Sequence, residues 1–280
     1  MPVRVVTDST SDLPQDIVER YDITVVPLTV FFGDEALLDG VEIDSEQFYP
    51  RLTASHVLPR TSQPSAEMFR LAYERLAAET GEIVSIHLSS KLSGTLNSAS
   101  VARDQSIRPD LHIELIDSYT VSLGLGLVVR DAAAAAAGGA SLAEVVAAAR
   151  HAMDRVAVCV AVDTLEYLRR GGRIGRASSF VGSVLSIKPI ISVADGEVVP
   201  VERVRTHRKA AERIFALATE DKRAKAVFVA CTGDDAQAEA FAARVREDLP
   251  HTEVRASRIG PVVGVYVGGN ALGCAILHGD

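Results

Sequence analysis

The sequence predicts a two-domain α/β protein, with a mostly parallel N-terminal sheet carrying helices on both faces and a mixed-sheet C-terminal half. Three observations carry that prediction. The chain has 280 residues, roughly two domains' worth, and 48% of them are apolar, enough to bury two cores. The first half alternates short β-rich apolar runs with helical patterns, the rhythm of a parallel sheet flanked by helices. In the second half Asp195-Gly196 lies between two β-rich runs, and this dipeptide favours a hairpin and hence an antiparallel pair. The expected division is residues 1–155, bearing the polar turns that could hold a ligand, and residues 156–280, with no Pro-, Gly- or Ser-rich linker between them.

In order along the chain, residues 3–7 form an apolar strand, Asp8-Ser9-Thr10-Ser11-Asp12 turns, and Pro14 introduces a helix over 16–21. Residues 23–32 are a second β-rich run. Phe69, Ala72, Tyr73 and Leu76 mark one face of a helix within 64–80. Strand 83–88, helix 96–105 and strand 111–116 complete the alternation, and the alanine tract 132–137 reads as a packed small-residue helix. After residue 155 comes a buried strand over 156–162. Asp163 and Glu166 then resemble a capping box opening a short helix that Gly171-Gly172 ends. The hairpin strands are 190–194 and 198–204, followed by strand 225–231, helix 236–246 and strands 253–259 and 271–277.

Composition narrows the function. A formal charge of −8 disfavours non-specific nucleic-acid binding, which begins by neutralising phosphates. The longest apolar stretch, 121–149, is interrupted by Arg130, Asp131, Gly138, Gly139 and Glu144, so no integral membrane segment is expected. The N-terminus enters a charged strand-turn without the apolar region of a signal peptide. Cys159, Cys231 and Cys274 are odd in number, widely spaced and set in apolar runs, so they read as reduced core residues of a cytoplasmic protein. The seven histidines lack metal-ligand spacing, and there is no Gly-x-Ser-x-Gly elbow or His-Glu-x-x-His pair; neither a metal nor a hydrolytic centre is expected. His87, inside a strand, reads as a satisfied core histidine.

Ser89-Ser90-Lys91-Leu92-Ser93-Gly94-Thr95 lies between a strand and a helix, where backbone N–H groups and the positive helix end suit a phosphate or carboxylate. The alternative is that Ser93 or Thr95 only caps the helix. Thr61-Ser62-Gln63-Pro64-Ser65 has the same two readings. With Asp8-Ser9-Thr10 these make three polar turns at strand ends, which would converge on one edge of a doubly wound sheet, where ligands bind. Arg169-Arg170-Gly171-Gly172-Arg173-Ile174-Gly175-Arg176 is either a solvated helix end or a positive docking edge. Arg203, Arg205, His207, Arg208 and Lys209 carry the same ambiguity.

In this order, the segments 7–13, 61–65, 89–95, 116–118, 165–174, 187–191 and 259–264 resemble the DegV family along essentially the whole chain. The resemblance implies a two-domain fold related to the dihydroxyacetone kinase substrate-binding fold. It implies one bound long-chain fatty acid, such as palmitate, stearate or oleate, and no other cofactor. It implies a carrier rather than an enzyme, with phosphorylation of the acid to acyl-phosphate done by a separate fatty acid kinase subunit. The alternatives are a lipid-sensing regulatory module and, further off, a small-molecule kinase-like or hydrolytic enzyme. Carried over by position, Thr61 and Ser93, with Ser62, Gly94 and Tyr266, would hold the carboxylate, and Arg173 and Arg170 would face the partner. Phe180, Leu185, Ile187 and Ile190 are the candidate wall for the acyl chain.

One segment departs from the family pattern. Where many kinase-linked members carry Gly-Thr-His-Thr-Gly-Pro-Gly, this chain has Gly264-Val265-Tyr266-Val267-Gly268-Gly269-Asn270. A tyrosine donates one hydrogen bond but does not become a cation near neutral pH. The departure counts against presentation to a kinase and leaves lipid binding in place.

Overall fold

The computed structural model describes residues 2–106, 110–181, 187–233 and 235–279. The chain begins with β1 (Arg4–Asp8), a 3₁₀ turn (Ser9–Ser11), α1 (Gln15–Arg20), β2 (Thr24–Val26), β3 (Thr29–Phe32), β4 (Glu35–Leu38), α2 (Ser45–Ala54) and β5 (Arg60–Ser62). It continues through α3 (Ala66–Leu76), β6 (Glu82–His87), α4 (Thr95–Asp104), β7 (His112–Asp117), α5 (Leu123–Ala137) and α6 (Leu142–Met153). Next come β8 (Val156–Ala161), α7 (Glu166–Arg170), a 3₁₀ segment (Gly175–Phe180), β9 (Lys188–Ala194), β10 (Glu197–Val204) and α8 (His207–Ala218). The last elements are β11 (Ala226–Cys231), α9 (Asp235–Asp248), β12 (Glu253–Arg258), α10 (Pro261–Val267) and β13 (Leu272–Leu277).

Three sheets result. The parallel one has the order β2-β1-β6-β7, the mixed one β10-β9-β8-β13-β11-β12, and a small antiparallel one β4-β3-β5. The expected mostly parallel N-terminal sheet and mixed C-terminal sheet are both present, and every strand of the mixed sheet follows residue 155. Phe69, Tyr73 and Leu76 of α3 and Ala99 and Ala102 of α4 cover one face of the parallel sheet. Its other face, with Val5, Val84 and Ile86, packs on α5 and α6. The far face of the mixed sheet is closed by α8 and α9 through Ile214, Ala242 and Val245.

The helix α5 lies between the two large sheets, touching β1 and β6 on one side and β8, β11 and β13 on the other. That position explains why Leu125, Leu127, Val128 and Val129 point to different sides and are all fully buried. It also explains Gly126, where an added Cβ would lie 2.6 Å from the Ser11 carbonyl oxygen. Among the described residues, no helix is long and apolar enough to cross a membrane.

Two local expectations are corrected. Residues 23–32 form not one strand but β2 and β3, in different sheets. Pro27 lacks the N–H a continuous strand would need, and the next N–H, of Leu28, bonds Ser9 Oγ at 3.1 Å instead of a ladder partner. Asp163 does not cap α7. It bonds Lys188 at 2.8 Å and Asn270 at 2.9 Å, while Thr164 Oγ1 accepts the Glu166 N–H.

Candidate functional site

The parallel order β2-β1-β6-β7 places β1 and β6 side by side at the point where the order reverses, and ligands of open α/β sheets bind beyond the strand ends there. The turns leaving these two strands are Ser9–Ser11 and the 88–94 loop. A cavity of about 430 Å³ opens at this edge and runs to the mixed sheet. Thr10, Leu88, Leu92 and Ser93 line it from the parallel sheet; Val158, Val160, Ile191 and Val198 line it from the mixed sheet; Val262, Val263 and Tyr266 come from α10. Its size lies in the range of roughly 300–1,000 Å³ of small-molecule sites.

The polar groups gather at one end. The Thr61 and Tyr266 hydroxyls are 2.7 Å apart. The guanidinium of Arg173 stands 5.5 Å from the centre of the Tyr266 ring and donates to the carbonyls of Leu92 and Gly171 at 3.1 and 2.6 Å. Ser93 Oγ lies 2.9 Å from Thr95 Oγ1 and accepts the Thr95 N–H at 3.3 Å. Gln63 packs over Gly94 and donates to Ser98 Oγ at 3.0 Å. Arg173 thus joins the 88–94 loop to α10, and Thr61 joins α10 to β5. The glycine at 171 is needed here, because an added Cβ would meet the Tyr266 ring at 2.5 Å.

Behind this end lies a buried polar chain. Asp8 accepts from the Thr10 backbone N–H at 3.1 Å, the Thr10 hydroxyl at 2.5 Å and the Leu88 N–H at 3.1 Å. Its second oxygen also lies 3.0 Å from His87 Nδ1, and His87 Nε2 is 2.7 Å from Ser85 Oγ, which contacts the Tyr73 hydroxyl at 2.9 Å. Two further carboxylates flank the start of α10. Asp12 accepts from the Ser122 hydroxyl and, at 3.0 Å, from the Gly260 N–H; burial pushes its carboxyl well above the usual range. Burial likewise raises Asp39 to about 7, partly offset by Ser9 and the Val262 backbone.

The DegV family pattern matches residues 2–279. The chain belongs to the DegV family. A DegV domain-containing protein of Clostridium perfringens is 37% identical over 98% of each chain. Among solved structures, a DegV family protein from Thermus thermophilus, described as binding fatty acid, is 34% identical, with a TM-score of 0.89 over 99% of this chain and all of that one. DegV of Bacillus subtilis, described as a fatty acid binding protein, is 32% identical, with a TM-score of 0.89 over 99% of both chains. The fold expected from the motifs is therefore the DegV fold.

In this DegV chain, Thr61, Ser62, Ser93, Arg173 and Tyr266 all line the cavity. Gly94 lies beneath Gln63 rather than on the cavity surface. Arg170 lies outside the cavity, exposed and paired with Glu166 at 2.5 Å. The wall residues fare differently. Ile190 is fully buried on the opposite face of the mixed sheet, with Ile214 and Ala210 of α8, and its neighbour Ile191 lines the cavity. Phe180 packs beside the core under Arg203, 4.1 Å from its guanidinium, and neither it nor Ile187 reaches the cavity surface. Leu185 lies outside the described residues. His87 is the satisfied core histidine expected, fully buried with both ring nitrogens in hydrogen-bond contact. Sequence reasoning missed Gln63 as a lining residue and the aliphatic wall contributed by β8 and α10. Among the described residues, no group of three or more His, Cys, Asp or Glu side chains could hold a metal ion.

Proposed function

We propose that this protein binds one long-chain fatty acid, burying the acyl chain in the cavity and holding the carboxylate among Thr61, Ser93 and Tyr266. The observation that carries the reading is the cavity's lining: Thr61, Tyr266 and Arg173 meet around one part of it, and valines and isoleucines of β8, β9 and β10 line it from the mixed sheet. Short hydroxyls beside a helix start can hold a carboxylate while leaving one oxygen exposed. Sheltering ~15 methylenes at ~0.8 kcal/mol each is worth on the order of 12 kcal/mol before association costs. The Thermus and Bacillus relatives, described as fatty acid-binding, support the same ligand class.

In this reading the protein is a cytoplasmic carrier, and phosphorylation of the bound acid belongs to a separate fatty acid kinase. Arg173 is the cation at the cavity rim that such a partner would meet, and three buried cysteines in thiol form fit a reducing compartment. Lipid extracted from the purified protein should contain fatty acid in near-equal amount by mass spectrometry. The protein alone should not turn over ATP, while a cognate kinase with ATP should form acyl-phosphate from the loaded carrier. Replacing Thr61 and Ser93 together by Ala removes two hydrogen bonds to a charged group, each worth roughly 1.5–3 kcal/mol. Unchanged fatty acid affinity in that variant would refute the head-group assignment.

A further inference from the structure

The mixed sheet carries a dithiol that the carrier reading does not use. Cys159 of β8 and Cys274 of β13 are direct cross-strand partners, and their sulfurs are 3.3 Å apart. Directly opposed residues of antiparallel strands have Cα atoms roughly 4.5–5.5 Å apart, inside the ~4.4–6.8 Å span a disulfide bridges. The backbone therefore need not move for the two sulfurs to bond. Both residues are buried, at 6% and 1% exposure, so bulky oxidants are excluded. Small ones have room on the face the thiols occupy. Both cysteines pack in the cluster beneath α8 and α9, and on that face a second cavity of about 340 Å³ begins at Ala161 and Leu272, the next cross-strand pair facing the same side. The third cysteine, Cys231, stands opposite Leu272 rather than opposite a thiol.

We propose that Cys159 and Cys274 form a redox modification site, converted by a small hydroperoxide into a cross-strand disulfide on the α8–α9 face of the mixed sheet. A thiolate at Cys159 attacks the peroxide, the O–O bond breaks, and the cysteine becomes a sulfenic acid as the alcohol or water leaves. Cys274 then attacks the sulfenic sulfur, forming the S–S bond and releasing water. The two thiols are oxidised, the peroxide is reduced, and the net change is two thiols plus one hydroperoxide giving one disulfide, one alcohol and one water. Its hydrogen bond to Cys159 and its burial push the Cys274 thiol upward. Ordinary thiols need the thiolate to react, so the reaction should run faster at pH 9 than at pH 7.

The experiment uses the full chain, reduced and freed of reductant, treated with hydrogen peroxide and then unfolded for thiol titration. The expected result is a fall from three titratable thiols to one, a Cys159–Cys274 linked peptide by mass spectrometry, and return to three with dithiothreitol. Cys231→Ser should keep the linkage, and Cys159→Ser should show no reversible thiol loss. Three surviving thiols under conditions that oxidise a free-thiol peptide would overturn the proposal, as would a linkage through Cys231 or stable sulfinic acid at a single cysteine.

Discussion

Tyr266 closes the polar end of the cavity by direct contact with Thr61, so its hydroxyl is aimed inward and its ring is held between Gly171 and Arg173. A carboxylate entering this end can accept hydrogen bonds from both the Thr61 and the Tyr266 hydroxyl, one of which now donates to the other. Tyr266→Phe should weaken fatty acid binding by roughly 0.5–3 kcal/mol, between the net worth of a neutral hydrogen bond and that of one to a charge. Tyr266→His should introduce a pH step between about 5 and 8 that the natural protein lacks, affinity falling as the imidazolium is lost. Affinity titrated against pH for the three proteins checks both, and superimposable curves would mean that residue 266 does not touch the head group. Two of the three hydroxyl-rich turns, those after β1 and β6, meet at the edge of the parallel sheet as the sequence predicts, whereas Thr61 and Ser62 reach the same cavity from β5 of the small antiparallel sheet. The apolar wall of the cavity was not legible in the sequence. In β9 both Ile190 and Ile191 are apolar because both faces of the strand are buried, so no alternation in the sequence tells which side faces the cavity and which faces α8.

At the scale of elements, strands bounded by turns were read almost to the residue: β6, β7, β8 and the Asp195-Gly196 hairpin lie where the apolar runs and turn residues put them. The helix α10 was not read, although its Gly260-Pro261 start carries the signal of a first-turn proline, because Val262, Val263, Val265 and Val267 read equally well as strand. What decides for helix is tertiary. Tyr49 and Ser45 of α2 donate to the Ile259 carbonyl, and Gly264 lets α10 lie against Phe48 and Tyr49. A Cβ at position 264 would come within 2.7 Å of the fully buried Phe48 ring, which has no room to yield. Gly264→Ala should therefore lower stability by roughly 1–3 kcal/mol, as overpacking does. It should weaken fatty acid binding as well, because α10 carries Tyr266. Urea unfolding and lipid affinity together test this, and a variant matching the natural protein in both would show that α10 can shift freely on α2.

Across the whole molecule, one apolar cluster runs from Val5 of the first strand to Leu277 of the last, so the two large sheets share a core through α5. The strands of the mixed sheet all follow residue 155, and no linker precedes them because the connecting α5 is itself interior and α6 buries Val145, Ala149 and Ala152 against the shared core. The buried carboxyls at the start of α10 link the stability of this assembly to pH. Asp39 titrates near 7 in the folded protein, with burial the main cause, against an ordinary value near 3.8. Its folded pKa is raised, so between these values the folded state holds a proton that the unfolded chain has released, and stability falls as pH rises from about 4 through about 7. Above that the loss is complete, on the order of 2–4 kcal/mol. Asp12 shifts in the same direction. The surface carboxylates paired with cations, such as Glu166 and Asp248, shift the opposite way and act only at lower pH. Asp39→Asn removes one of the raised titrations and leaves the others, so the difference between variant and natural protein isolates it. That difference should favour the variant at pH 8.5 and shrink by a few kcal/mol towards pH 4.5, read from urea unfolding at each pH. Parallel stability curves for the two proteins would mean that the Asp39 carboxyl is already ionised throughout and that something other than a proton balances its burial.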